Sequence, residues 1–241
     1  MSDLFEKRIR RAELLEKEWP YAAELLRFHR RVWALQKEIL ALPEKTPILP
    51  RLLALVSQDG PPELVRQAKA IAIQEDLLDR YAMEELPPNP ALEFFQRVRH
   101  ESNWISLRAS GCNPALPEEQ RSVCPGCTGW PLVSVLREDK GAETVRRSLI
   151  CMRCSWEWTF ARVLCPGCGE EKPEKLPRYT AQEIPWMRVE ACDTCGKYLK
   201  SVDLTLNWDA DPIVDELAST PLDVIAREHG YVKIAPNLAG I

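Results

Sequence analysis

The spacing of hydrophobic residues in the first part of the chain is helical. Apolar side chains recur three, four or seven positions apart across residues 4–42, which places them on one face of a helix. Pro20 lies inside this stretch and is expected to end or kink the first helix. Further helical patterns cover residues 51–57, 63–85 and 91–110. The pattern predicts an all-helical unit of four or five helices, with a proline-rich loop at Pro43, Pro47 and Pro50.

Short alternating runs in the second half of the chain are typical of β-strands. Residues 131–136 and 147–150 predict two strands on either side of a turn at Lys140–Gly141. Trp156, Trp158 and Phe160 then alternate with polar neighbours, as in a half-buried strand. Another strand pattern, at Trp186, Met187 and Val189, comes shortly before the last cysteines.

The end of the chain returns to a helical pattern. Asp211–Pro212 opens one helix, and Thr220–Pro221 opens a second helix that closes at Gly230. Residues 201–241 carry seven acidic and two basic side chains. We expect this acidic excess to mark either a solvated helix face or a surface for a partner.

Eight of the nine cysteines form four Cys-x-x-Cys pairs at a repeated interval. The pairs are Cys124/Cys127, Cys151/Cys154, Cys165/Cys168 and Cys192/Cys195. The third pair lies 41 residues after the first (165 − 124), and the fourth lies 41 residues after the second (192 − 151). This interval indicates that one unit with two pairs was duplicated. The ninth cysteine, Cys112, is interpreted as an ordinary thiol.

The spacing suits tetrahedral metal sites. Two Cys-x-x-Cys turns supply four thiolates about 2.3 Å from one zinc or iron ion, and both ions accept this donor set. Duplication favours consecutive sharing, with Cys124, Cys127, Cys151 and Cys154 around one ion and Cys165, Cys168, Cys192 and Cys195 around the other. A cross-braced arrangement remains an alternative, as does dithiol redox chemistry. A closed four-thiolate site offers no position for a substrate, so we predict no catalytic residue, no other cofactor-binding residue and no enzymatic activity.

Charge and hydropathy disfavour several classes of function. The net charge is −4, and residues 112–200 carry 13 basic and 12 acidic side chains, whereas nucleic-acid modules usually present a basic face. No apolar run approaches the roughly 20 residues that cross a membrane, and the first residues lack the apolar core of a signal peptide. Cysteines in metal-type spacing favour a reducing compartment. We therefore expect a cytoplasmic protein without nucleic acid or membrane insertion, and homodimer formation stays open.

Together these patterns predict an α+β protein. We expect an all-helical domain at residues 1–111, two tandem rubredoxin-like or zinc-ribbon units at residues 112–160 and 161–200, and a helical segment at residues 201–241. Ribbons of this size bury little apolar surface, so bound metal would contribute much of their folding free energy.

The residues around the four pairs are more specific than those of a generic zinc ribbon. They read Arg121-Ser-Val-Cys-Pro-Gly-Cys, Cys151-Met-Arg-Cys-Ser-Trp-Glu-Trp, Arg162-Val-Leu-Cys-Pro-Gly-Cys and Glu190-Ala-Cys-Asp-Thr-Cys-Gly-Lys-Tyr-Leu-Lys, and the tail adds Asp215-Glu-Leu-Ala-Ser. In this order and spacing, residues 121 to 237 resemble the formate dehydrogenase accessory protein family, FdhE. The N-terminal part resembles the family only in its helical structural class and carries no family motif.

The resemblance implies a cytoplasmic maturation factor and not a catalyst. It implies that the protein binds the catalytic subunit of formate dehydrogenase, is needed for that enzyme's assembly or activation, and holds two zinc or iron ions, one in each four-cysteine site. The main alternative is a rubredoxin-like iron protein that transfers electrons, and a nucleic-acid-binding zinc ribbon is a third hypothesis.

Overall fold

The computed structural model describes residues 2–42, 48–71, 76–112, 122–139 and 144–240. The expected loop positions Pro43 and Pro47 and the expected turn at Lys140–Gly141 lie outside these residues. Pro50, also expected in the loop, lies instead in the first turn of a helix. The chain divides into two compact units, residues 1–112 and 113–241. The first unit is helical and the second is built on one β-sheet, so the predicted α+β class is confirmed.

The described residues of the first unit contain six α-helices. They are α1 (Ser2–Glu18), α2 (Ala23–Ile39), α3 (Leu49–Asp59), α4 (Pro62–Lys69), α5 (Leu77–Ala82) and α6 (Pro90–Ala109). Pro20 begins a short 3₁₀ turn, Pro20–Ala22, between α1 and α2, which confirms the predicted break. The stretch expected as one helix at residues 63–85 contains two helices instead, so the predicted count of four or five was too low.

The core of the helical unit combines aromatic packing with one buried ion pair. Trp33 and Phe95 are fully buried. Arg8 of α1 donates a hydrogen bond to Glu101 of α6 over 2.9 Å, and Gln36 of α2 donates to the other Glu101 oxygen over 2.8 Å. These bonds connect three helices through one carboxylate. His29 is also buried in α2, where its Nδ1 lies 2.9 Å from the Leu25 carbonyl oxygen.

The second unit contains a seven-stranded sheet and two helices. Its elements are β1 (Pro131–Asp139), β2 (Thr144–Cys151), β3 (Glu157–Phe160), β4 (Arg178–Thr180), β5 (Met187–Cys192), β6 (Lys197–Asp203), α7 (Pro212–Ala218), α8 (Thr220–Glu228) and β7 (Val232–Lys233). The strand order is β3-β2-β1-β6-β5-β4, and β7 also pairs with β6. The predicted strand with Trp158 and Phe160 is confirmed as β3, in which both rings are buried.

The sheet contains the same three-stranded pattern twice. In each half, a cysteine pair leads to two antiparallel strands, a second pair ends the second strand, and a third strand follows. The two halves stand side by side in the same strand order, because β1 of the first half pairs in parallel with β6 of the second. This arrangement makes one sheet out of the repeats. The subdivision of residues 112–241 into two ribbons and a tail stays a prediction.

Arg147 connects the two halves of the sheet by hydrogen bonds. This buried side chain of β2 donates to the Ser134 hydroxyl over 2.9 Å and to Glu190 of β5 over 2.7 Å. It also donates to the carbonyl oxygens of Ala161 and Leu164, both at 2.9 Å. Burial alone would raise the pKa of Glu190, but Arg147 and Arg188 hold it below its usual value. Arg147 therefore fixes the segment between β3 and the third cysteine pair against the second half.

The C-terminal helices pack onto the sheet. All seven residues of α7 are buried, and Asp211 caps the helix by accepting hydrogen bonds from the backbone amides of Ile213 and Val214. The structure contradicts the expected exposure of the acidic groups here: Asp211, Asp215, Glu216 and Asp223 are each at most 4% exposed. Four of the seven acidic side chains after residue 200 are thus neither a solvated face nor a partner surface.

Two lysines neutralise two of these buried carboxylates. Lys200 of β6, fully buried, lies 2.6 Å from Asp223 and 3.2 Å from Glu216. Lys233 of β7 pairs with the same two carboxylates, and Tyr198 donates a hydrogen bond to Asp223 over 2.7 Å. Burial alone would raise the pKa of Asp223, but the two lysines hold it below its usual value. The cluster ties α7 and α8 to the strands that follow the fourth cysteine pair.

We expect Lys200→Met to destabilise the second unit by about 3–5 kcal/mol, because removing one partner leaves buried carboxylate charge that Lys233 alone does not balance. The matched control is Lys172→Met, which removes an exposed lysine of the same unit and should change stability by less than about 0.5 kcal/mol. Urea unfolding followed by tryptophan fluorescence measures both. Equal stability of the two variants would contradict a structural role for the cluster.

Candidate metal centres

Each Cys-x-x-Cys pair lies in a tight turn, here called a knuckle, and the four knuckles have the same backbone hydrogen bond. The amide of the residue after the second cysteine donates to the carbonyl oxygen of the first cysteine. The donors are Thr128, Ser155, Gly169 and Gly196, and the N–O distances are 2.9, 3.2, 2.9 and 2.9 Å. This repeated bond holds the two sulfur atoms of each knuckle on one side of the turn.

The donor residue of every knuckle has a left-handed backbone. Its φ is +58° at Thr128, +53° at Ser155, +78° at Gly169 and +67° at Gly196. Glycine adopts this conformation without steric cost, whereas a residue with a Cβ atom is strained there. The third and fourth knuckles therefore have the sequence that the turn favours, and the first two keep the same turn despite a side chain.

The knuckles bring the eight cysteines together in two groups of four. The first centre is Cys124, Cys127, Cys151 and Cys154, the second is Cys165, Cys168, Cys192 and Cys195, and in each group the four sulfur atoms lie within 4.8 Å of one another. This is the consecutive arrangement expected from duplication, and the cross-braced alternative does not occur. None of these eight cysteines forms a disulfide bond.

The sulfur positions fit a tetrahedral ion. In the first centre the Sγ–Sγ distance is 3.6 Å for Cys124–Cys154 and 3.4 Å for Cys127–Cys151. In the second centre the corresponding distances are 3.8 and 3.7 Å. Four sulfurs placed about 2.3 Å from a common centre would be about 3.8 Å apart. Each centre could therefore hold one metal ion with little movement of its ligands.

Backbone amides already point at two of the sulfur atoms. The amide of Arg153 lies 3.3 Å from Cys151 Sγ, and the amide of Gly167 lies 3.3 Å from Cys165 Sγ. Such donors stabilise a thiolate ligand and tune the electronic properties of a bound metal. Gly129 and Gly167 also leave room for the sulfurs, because a Cβ atom at Gly129 would stand 2.8 Å from Cys151 Sγ.

The electrostatics of the grouped thiols favour a cation. Hydrogen bonding with Cys124 and Cys127, together with burial, raises the pKa of Cys151 and of Cys154 far above the ordinary value. Burial is the main cause of the raised pKa of Cys165. Four neighbouring sulfurs cannot all ionise in a partly buried site unless positive charge is placed between them, and a divalent ion supplies it.

The two centres differ in their access to solvent. Cys124, Cys151 and Cys154 of the first centre are buried, and Cys127 is half-buried. In the second centre Cys168 is exposed. The second centre is therefore the one that a solute or a partner can reach directly.

A sheet carrying two four-cysteine knuckle centres defines a protein of the zinc-ribbon or rubredoxin-like class. Comparison with known proteins narrows this structural class to a protein family. Residues 163–239 match the family model described as FdhE, C-terminal domain. The resemblance to the FdhE family that the cysteine motifs predicted is thus confirmed.

The chain is also similar to individual FdhE proteins and to a solved FdhE structure. A Protein FdhE homolog of Pseudomonas aeruginosa is 33% identical over 57% of this chain and 45% of its own length, and one of Stutzerimonas stutzeri is 31% identical over 72% of this chain and 54% of its own. The chain thus spans about half the length of the curated relatives it matches. The crystal structure of the FdhE protein from Pseudomonas aeruginosa has a TM-score of 0.72 and 26% identity, with 99% of this chain and 95% of that chain covered.

The residues around the centres include some that sequence reasoning missed. The strand β6, which follows the fourth knuckle, was not predicted, although shifting β3 by the 41-residue interval points to residues 198–201. The roles of Arg147 and of the lysine cluster were missed as well. Neither has a local sequence signal, because the partners lie 13–43 positions away for Arg147 and 10–25 positions away in the lysine cluster.

We expect Cys127→Ser and Cys168→Ser each to remove one metal ion per chain, because three thiolates hold a structural ion much less tightly than four. Cys112→Ser is the matched control, since this exposed cysteine belongs to neither centre. Elemental analysis of the purified proteins measures the metal content. Two ions per chain in either of the first two variants would contradict the four-cysteine assignment.

We expect Ser155→Gly to stabilise the protein and Gly169→Ala to destabilise it, each by about 1 kcal/mol, because the two residues occupy the same left-handed position in different knuckles. A Cβ atom at Gly169 would meet no heavy atom within 4 Å, so its cost comes from the backbone alone. Urea unfolding of the metal-loaded variants gives both values. The same sign for both substitutions would be inconsistent with strain in the first two knuckles.

Proposed function

We propose that this chain is an accessory factor that binds the catalytic subunit of a formate dehydrogenase and is needed for its assembly or activation. The observation that carries the proposal is the presence of two preformed four-cysteine centres in a fold similar to a solved FdhE protein along 99% of the chain. The factor acts in the cytoplasm, on a client protein rather than on a small substrate.

In this proposal the eight cysteines are metal ligands, and each centre holds one zinc or iron ion. Four thiolates close the coordination shell, so the ion offers no position for Lewis-acid catalysis. Within the part of the chain that the structure describes, no other group of three or more histidine, cysteine or acidic side chains converges. The centres therefore serve to fold the sheet and to fix its surface, and the protein works by binding rather than by catalysis.

The four buried carboxylates of the tail do not supply the surface for the catalytic subunit, because they are at most 4% exposed. A loop that follows β6 presents Leu206 and Trp208, which are 65% and 80% exposed. Exposed tryptophans are frequent energetic anchors of protein interfaces. We assign this loop as a contact for the catalytic subunit.

No helix in the described residues is long and apolar enough to cross a membrane.

A rubredoxin-like electron-transfer protein is the second candidate. The amide-to-sulfur contacts at Cys151 and Cys165 and the exposed Cys168 favour it, because hydrogen bonds to sulfur and solvent access set the potential of iron–thiolate sites. This function requires iron that is reduced and reoxidised reversibly.

We expect the tagged protein, expressed in its native host grown with formate, to recover a formate dehydrogenase catalytic subunit. Trp208→Ala should lower the recovery about tenfold, as for an interface anchor, without changing metal content, whereas Tyr21→Ala, an exposed aromatic control, should not. Quantitative mass spectrometry of the bound fraction measures this.

Three outcomes separate the hypotheses. Failure of the unmodified protein to recover any formate dehydrogenase subunit would contradict the proposed function. Full recovery with Trp208→Ala would contradict only the assigned contact. Recovery of a redox partner instead, by a protein whose iron is reversibly reduced, would favour electron transfer.

A further inference from the structure

A small pocket with basic walls lies beside the second centre. Cys165 and Cys192 are among the residues that line it, and its cavity volume is about 30 Å³. The cationic residues that line it are Arg147, Arg162, Arg178 and Lys197, and Glu190 is the acidic one. These residues come from separate strands and from the loop after β3, so the sequence shows no basic cluster.

The four cations share a single carboxylate in the pocket lining, that of Glu190. Arg147 is paired with Glu190 at 2.7 Å. In the described part of the chain, Arg162, Arg178 and Lys197 form no ion pair. Arg178 stands opposite Glu190 across the β4–β5 ladder, but Glu190 is already held by Arg147 and Arg188. The pocket thus offers three cationic groups that form no ion pair, and the charge of Arg178 also helps to lower the pKa of Glu190.

Lys197 is held in position by its surroundings. Its Nζ lies 5.7 Å from the centroid of the Trp130 ring, which is within the range of a cation–π contact. Its Cδ would be 3.5 Å from a Cβ atom at Gly167, so its stem lies along the third knuckle. An ammonium group fixed in this way loses less entropy when it binds an anion.

The charge of the neighbouring metal centre sets the charge of the ligand. Four thiolates around a divalent ion carry about −2. The side chains that line the pocket carry +3, because Glu190 offsets one of the four cations, so the lining and the centre together carry about +1. A singly charged anion balances this, whereas a doubly charged phosphate would leave an excess of negative charge. Arginine side chains match a carboxylate with two parallel hydrogen bonds.

We propose that this pocket is a binding site for one carboxylate group. The carboxylate is supplied either by a free small acid or by an acidic side chain of a polypeptide, and the chemistry recognised is the same. The charge argument rests on the proposed occupancy of the second centre by a divalent ion, but not on the identity of the partner protein.

The test is fluorescence anisotropy with labelled hexaglutamate at low salt, on protein whose metal content has been measured. We expect one peptide to bind per chain. The variant Arg162→Gln/Arg178→Gln/Lys197→Gln should bind at least about tenfold more weakly, because charge-assisted hydrogen bonds are lost. The control Arg146→Gln/Lys172→Gln/Arg227→Gln removes the same charge from exposed residues outside the pocket and should weaken binding less than about twofold.

Competition identifies the source of the carboxylate. Displacement of the peptide by acetate supports a site that also accepts a free acid, and resistance to acetate with pocket-dependent peptide binding supports a polypeptide ligand. The proposal is overturned if both triple variants bind equally, or if inorganic phosphate competes better than acetate at equal ionic strength. A protein with fewer than two metal ions would instead count against the metal assignment, and elemental analysis shows this separately.

Discussion

The mutual repulsion of four clustered thiolates is the constraint on which the second unit depends. Each centre holds four sulfur atoms within 4.8 Å of one another in partly buried surroundings. Such a group keeps all four thiolates only when a cation shares their charge. A metal ion at each centre would therefore fix two knuckles, the strands between them and the register of the sheet at the same time. Bound metal would thus add folding free energy to that supplied by the buried side chains of the sheet.

Duplication then determines how the two centres are joined. Each repeat alone would leave β1 or β6 as an open sheet edge, and unpaired edges invite aggregation. In the structure these two strands pair with each other in parallel, from Val133 opposite Lys200 to Leu136 opposite Asp203. Arg147 is a buried polar link across this junction, because it joins β2 of the first repeat to Glu190 of the second. It fixes one repeat relative to the other, which a metal ion at either centre would not do because each centre lies within a single repeat.

The sequence predicts the parts of this protein that depend on local pattern. The spacing of the cysteine pairs predicted both centres and their consecutive grouping, since a knuckle is encoded within five residues. Helix ends were predictable at Pro20 and at Asp211 for the same reason. The burial of Glu216 and Asp223 could not be predicted in this way. A carboxylate on an amphipathic helix is expected to be exposed unless its lysine partners, here on β6 and β7, are known. The basic pocket was missed likewise, because overall charge balance in residues 112–200 concealed the clustering of Arg162, Arg178 and Lys197.

The role of the second unit depends on what the eight sulfur atoms bind. X-ray absorption spectroscopy of the purified protein, at the absorption edge of the metal it contains, tests this most directly. We predict a shell of four sulfur neighbours at about 2.3 Å around each ion, with no nitrogen or oxygen in that shell. A shell containing nitrogen or oxygen ligands would contradict this prediction, because the centres would then be open or would include residues other than the cysteines.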